Sequence, residues 1–104
     1  MDKIFQEIKN ERLRQDLKWG QQNHLSFPNK NYNNDDFGLI NEMDAKTNCE
    51  IAFKNGYGSW AHIFIEEVSE SLSAGNDLKK LREELIQTIA VGVAWIESID
   101  RNGK

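Results

Sequence analysis

SWAHIFIEEVSESLSAGNDLKKLREELIQTIAVGVAWIESID, residues 59–100, reads as two helices joined by a short turn. Ser59 is a good N-cap, because a serine oxygen there accepts a backbone N–H of the first turn. The first helix is predicted to run to about Ala74 and to stop at Gly75, a residue suited to the left-handed position after a helix. Asn76 or Asp77 caps the second helix, which continues to about Asp100. So short a connection makes the pair an antiparallel αα-hairpin.

The segment EEVSE, Glu66 to Glu70, sits awkwardly in this reading. At ~100° per residue, Trp60, Ile63, Phe64, Val68 and Leu72 share one stripe. Glu67 falls inside that stripe, Glu70 lies on its edge, and Glu66 is one step further out. Like charges at i,i+3 and i,i+4 cost a helix roughly 0.2–0.5 kcal/mol per pair. Glu66–Glu70 and Glu67–Glu70 are such pairs, with no Lys or Arg one turn away. An unpaired carboxylate facing a core needs a basic partner from another helix, a proton, or a bound cation. Clustering favours the cation, since a divalent ion gains from each added carboxylate while one basic side chain satisfies about one. Mg²⁺ takes hard oxygen ligands and keeps waters that a substrate phosphate can displace.

The second helix adds another acidic element. Leu78, Leu81, Leu85, Ile89, Val93 and Ile96 form its expected core stripe, and Glu84, Gln87, Val91 and Ala94 share a different face. Between Leu85 and Ile96 it is apolar nearly all round, the pattern of a helix buried on more than one side. In 104 residues that implies a subunit interface, hence a homodimer or homotetramer. The plainer alternatives are that Glu83 and Glu84 pair with Lys79 and Lys80 on a solvated face, and that Glu66 faces water.

The rest of the chain is also helical in pattern. Residues 2–18 form an amphipathic helix with Ile4, Phe5, Ile8, Leu13 and Leu17 on its apolar side, ending at Trp19-Gly20. Residues 21–41 lack periodicity, contain the only proline, Pro28, and make a long loop for so small a domain. Residues 43–54 form a short helix with Ala45, Cys49, Ala52 and Phe53 inward, stopped near Asn55-Gly56. No strand pattern competes. The expected fold is all-α, a single helical-bundle domain over residues 1–104, completed by oligomerisation.

Composition narrows the function. With a net charge of −4 and no Lys/Arg cluster, duplex nucleic acid is a poor partner. Cys49 is the only cysteine, which excludes an intrachain disulfide and a Cys-based zinc site; a small core residue is the expected role. The N-terminal MDKIFQEIKNERLRQDLK has no apolar signal region, and IAVGVAWI is too short to span a bilayer. The expected location is cytoplasmic, with no membrane partner.

EExxE (Glu66, Glu67, Glu70) followed by ELIQ (Glu84 to Gln87) resembles the all-α NTP pyrophosphatase superfamily, specifically its MazG-like members. ERLRQDLKWGQQNH, CEIAFKNGYGSWAHIFIEEVSE and LREELIQTIAVGVAWIESIDR resemble a phage and bacterial MazG-like subgroup, which covers most of the chain outside residues 25–45. The resemblance implies Mg²⁺-dependent hydrolysis of nucleoside triphosphates between the α and β phosphates, with Mn²⁺ as a possible substitute. Glu67, Glu70 and Glu84 would be metal ligands. Glu66 would be a further ligand or the group that orients the attacking water. The family pattern ends in ExxD, whereas Gln87 stands here; its carbonyl can ligate Mg²⁺ but lacks the charge and cannot act as a base.

The same resemblance implies phosphate contacts from Arg12, Arg14 and Lys18, and base recognition by Trp19, Asn23 and His24. In the plainer readings the basic residues are solvated, Trp19 is a core anchor, and Asn23-His24 shape a turn. The Asn-rich loop, residues 29–36, would close over the nucleotide or remain disordered. Two rivals stand beside the enzyme: a nucleotide-binding module without turnover, and a helical oligomer whose acidic face only solubilises it.

Overall fold

The computed structural model describes residues 1–104 apart from Asn29, Lys30 and Tyr32. Four α-helices account for most of the chain: α1 (Asp2–Trp19), α2 (Glu42–Lys54), α3 (Trp60–Ser73) and α4 (Leu78–Asn102). No strand occurs among the described residues. The fold is all-helical, as the periodicity predicts, and the ends fall where the capping residues put them. Ser59 Oγ accepts the His62 N–H at 3.3 Å. Asp77 Oδ1 accepts Lys80 N–H at 3.2 Å, and Asn41 Oδ1 does the same for Asp44 N–H at 2.9 Å. Each satisfies a first-turn donor that has no partner inside its own helix. Gly20, with φ +68°, turns the chain out of α1.

α3 is the hub, packing against α2 on one side and α4 on the other. Its most buried side chains are serines. Ser69 and Ser71 are fully buried, while the apolar stripe of Ile63, Phe64, Val68 and Leu72 is half-buried. Small side chains let the neighbouring backbones approach closely. Phe64 fills the space toward the far half of α4, its ring 5.9 Å from that of Trp95.

The loop before α2 is more ordered than its lack of periodicity suggests. Asn34–Phe37 form a short 3-10 helix with a capping box: Asn33 Oδ1 accepts Asp35 N–H, and Asp36 Oδ2 accepts Asn33 N–H. Asn34 is buried and donates from Nδ2 to Ser69 O and Ser73 Oγ, both at 3.3 Å, which pins this stretch to α3. Of the Asn-rich loop expected at residues 29–36, Asn29, Lys30 and Tyr32 lie outside the described residues.

Three expectations about inward faces need correction. In α1 only Ile4 is buried; Phe5, Ile8, Leu13 and Leu17 are exposed, Leu17 at 90%. α1 touches the other described helices mainly through α4, so most of its apolar side is left uncovered by the described residues. Phe53 is half-exposed because its ring lies over Gly58, where any Cβ would overlap it. In α4, Leu81 and Val93 are buried, but Leu78, Leu85, Ile89 and Ile96 remain exposed, at 60, 44, 55 and 39%. Periodicity marks an apolar stripe without saying whose side chains will cover it. No helix is long and apolar enough to cross a membrane.

Candidate metal centre

α3 carries Glu66, Glu67 and Glu70, and α4 carries Glu84 and Gln87. Packing of the two helices brings carboxylate oxygens of Glu67, Glu70 and Glu84 within 4.8 Å of one another. All three residues are half-buried. Glu67 Oε2 and Glu84 Oε2 are shielded from solvent and find no hydrogen-bond partner in the protein. Such atoms are costly, because their hydration is lost without replacement.

No basic side chain of the described residues relieves them. The ion pairs found there are Arg12–Asp16 and Arg14–Glu11, both within α1. Glu84 therefore does not sit in a ladder with Lys80. Protonation is the next remedy. Burial, then the charges of Glu84 and Glu66, raises the pKa of Glu67. Burial, then Glu67, Glu84, Glu66 and Glu42, pushes Glu70 up to about 6. A proton thus relieves the cluster in mild acid, and near neutrality a divalent cation or a basic side chain from a partner could relieve it. Oxygen-only donors of this kind suit Mg²⁺ or Mn²⁺, and the two orphaned oxygens fit such an ion.

Glu66 stands outside the trio. The Cys49 thiol on α2 lies near it, and burial, followed by the influence of the Glu66 carboxylate, pushes the thiol up to about 11. Cys49 is buried, so it is a packed core residue and not a nucleophile. Gln87, expected as a ligand, is exposed.

The expected substrate residues lie on α1 and just after it. Arg14, Lys18 and Trp19 line one shallow cavity of about 270 Å³ together with Glu11, Gln15 and Gln22. Lys18 Nζ sits 4.9 Å above the Trp19 ring, close enough for a cation–π contact. Trp19 is exposed, which rules out a core anchor within the chain. Arg14 is held by Glu11 through Nε and Nη2. Asn23 and His24 are exposed, and His24 Nε2 lies 3.3 Å from Gln22 Nε2. None of the three clustered carboxylates lines this cavity.

Sequence reasoning missed three contributors: Glu42 near Glu70, Cys49 beside Glu66, and a buried Ser71–Thr88 hydroxyl pair. Only the last had a legible signal, since Ser71 and Thr88 each follow a clustered glutamate by four residues. No family model, curated protein or solved structure matches the chain.

The raised carboxylates make a pH-dependent expectation. A carboxyl whose folded pKa is raised contributes stability below its unfolded value, near 4.5, and loses it as pH climbs through the folded value, about 6 for Glu70. Metal binding requires the deprotonated forms. The rise in melting temperature on adding saturating Mg²⁺ should be near zero at pH 4.5 and should grow through pH 6. A hundredfold excess over Kd contributes about 2.7 kcal/mol once the sites are ionised. Melts with Mg²⁺ and with a chelator across this range check it; a pH-independent gain contradicts it.

Proposed function

We propose that this chain is a Mg²⁺-dependent nucleoside triphosphate pyrophosphohydrolase of the MazG-like kind, yielding a monophosphate and pyrophosphate and serving to cleanse the cytoplasmic nucleotide pool. One observation carries the reading: Glu67, Glu70 and Glu84 converge from two helices with two shielded oxygens unpartnered. Contacts that run from Phe64–Trp95 to Ser71–Thr88 support the antiparallel αα-hairpin on which the motif is built.

Glu67, Glu70 and Glu84 would hold the ion. When bound, Mg²⁺ supplies charge neutralisation for the phosphate oxygens and the departing pyrophosphate. Glu66, outside the trio, orients a water and takes its proton. The water oxygen bonds to the α phosphorus as the bond from that phosphorus to the bridging oxygen breaks, and pyrophosphate leaves with the electron pair. Lys18 and Arg14 offer positive charge to the phosphates. Trp19 offers a stacking face and Asn23 and His24 offer hydrogen bonds to a base. Exposed Gln87 leaves the acid–base work to glutamates.

A second copy completes the molecule. The Cα radius of gyration is 15.7 Å, against about 13 Å for a compact chain of this length. The exposed apolar stripe of α4 supports a homodimer, or a homotetramer built from it.

Incubation with a panel of canonical and damaged nucleoside triphosphates, with phosphorus NMR of the products, tests the reaction. Pyrophosphate plus monophosphate is expected. Orthophosphate plus diphosphate, or no product with either Mg²⁺ or Mn²⁺, contradicts it. Saturable nucleotide binding without product would favour the sequestering module.

A further inference from the structure

Beneath the carboxylate trio lies a polar contact that the proposed reaction does not use. Thr88 is buried in the α3–α4 interface, and so is Ser71. Thr88 Oγ1 lies 2.9 Å from Glu84 O in its own helix and 3.2 Å from Glu67 O across the interface. It lies 2.7 Å from Ser71 Oγ. A threonine hydroxyl has one proton and two lone pairs. That proton is shared between the two carbonyls, while Ser71 donates to Thr88 Oγ1. One side chain therefore ties together the backbones of the two residues whose carboxylate oxygens are left unpartnered.

We propose that Thr88, seated by Ser71, is a positioning residue: it fixes the α3–α4 spacing so that Glu67 and Glu84 converge on one cation. The inference rests on the metal-binding reading of the trio. Three like charges within 4.8 Å push the helices apart whenever the site is ionised and empty. A threonine back-bonded only to its own i−4 carbonyl would not oppose that force. The bond to Glu67 O opposes it, because it crosses between the helices at the level of the repelling groups. Groups bonded directly to metal ligands are worth roughly 10–100-fold in metal affinity, and a tie through the ligands' backbones is expected to reach the lower end of that range.

The test separates positioning from simple stability. Removing one partner of a buried hydrogen bond strands the other, whereas replacing both by apolar groups of similar shape is close to neutral. Full-length wild type, Thr88→Val, Thr88→Ser and the double variant Ser71→Ala/Thr88→Val are titrated with Mn²⁺. Bound ion is followed by loss of the free-ion EPR signal at neutral pH, with Glu67→Gln as the site control. Thr88→Val is expected to weaken Mn²⁺ about tenfold or more. Thr88→Ser, which keeps the hydroxyl, should stay within about threefold of wild type. The double variant should melt near wild type yet still bind Mn²⁺ about tenfold more weakly. Wild-type affinity in the double variant overturns the proposal while leaving the metal site standing. Wild type that binds no Mn²⁺, or binds it equally well after Glu67→Gln, overturns the metal reading and the positioning role with it.

Discussion

Glu67→Gln is expected to lose pyrophosphate release by roughly 10³-fold, the scale on which a transition-state charge group or positioned base is missed. In metal-free buffer the same variant should melt higher than wild type. The two effects share a cause. Glu67 is half-buried, its Oε2 has no partner, and burial with neighbouring charge already favours its protonated form. A glutamine is the permanent neutral mimic of that form, so it removes repulsion against Glu70 and Glu84 that wild type suffers near neutrality. About 1 kcal/mol of relief would shift the melting temperature by roughly 4 °C in a domain of this size. Adding Mg²⁺ should reverse the order, because only wild type gains the bound ion. Paired melts and pyrophosphate assays check this crossing. A variant that melts higher with and without Mg²⁺, beside a wild type without turnover, would mark the acidic face as solubilising only.

Ile89→Asp should dissociate the proposed homo-oligomer. Ile89 is exposed near the middle of the stripe formed with Leu78, Leu85 and Ile96, spaced by seven, four and seven residues as in a helix-packing seam. Their spacing leaves an apolar strip along a 25-residue helix that the other described residues cover only in part. In a two-fold contact each substitution occurs twice, and an unpaired charge buried there costs several kcal/mol. About 3 kcal/mol corresponds to a weakening of more than 100-fold. Sedimentation at micromolar protein should show wild type as a dimer or tetramer and the variant as a monomer. Helical circular dichroism should be unchanged, since Ile89 is more than half exposed. Mn²⁺ should still bind, because Glu67, Glu70 and Glu84 all come from one chain. A monomeric wild type, or a variant of unchanged mass, contradicts the interface.

The parts legible in the sequence were those with local causes. Ser59, Asp77 and Gly20 mark helix ends through bonds or dihedrals spanning a few residues, and they lie where expected. Helical spacing alone places Glu67 inside an apolar stripe and Glu70 at its edge, while the grouping of Glu84 with them is what the family resemblance implies. What failed was the choice of partner. Leu85, Ile89 and Ile96 read as core, yet the α3–α4 contact is lined instead by Ser71 and Thr88, whose small hydroxyl side chains satisfy one another at close range. Phe53 read as inward, but Gly58 leaves room for its ring on the surface. The 3-10 helix at Asn34–Phe37 had a local signal, Asn33 three residues before Asp36, but its anchorage on Ser69 and Ser73 spans 35 and 39 residues. No periodicity reports a contact of that range.

Anomalous diffraction from crystals grown with Mn²⁺ tests the central claim most directly. A Mn²⁺ peak bound by carboxylate oxygens of Glu67, Glu70 and Glu84 is expected, at roughly the 2.0–2.2 Å of a small hard cation. A Lys or Arg from a second copy seated on Glu67 and Glu84, with no metal peak there, would contradict it.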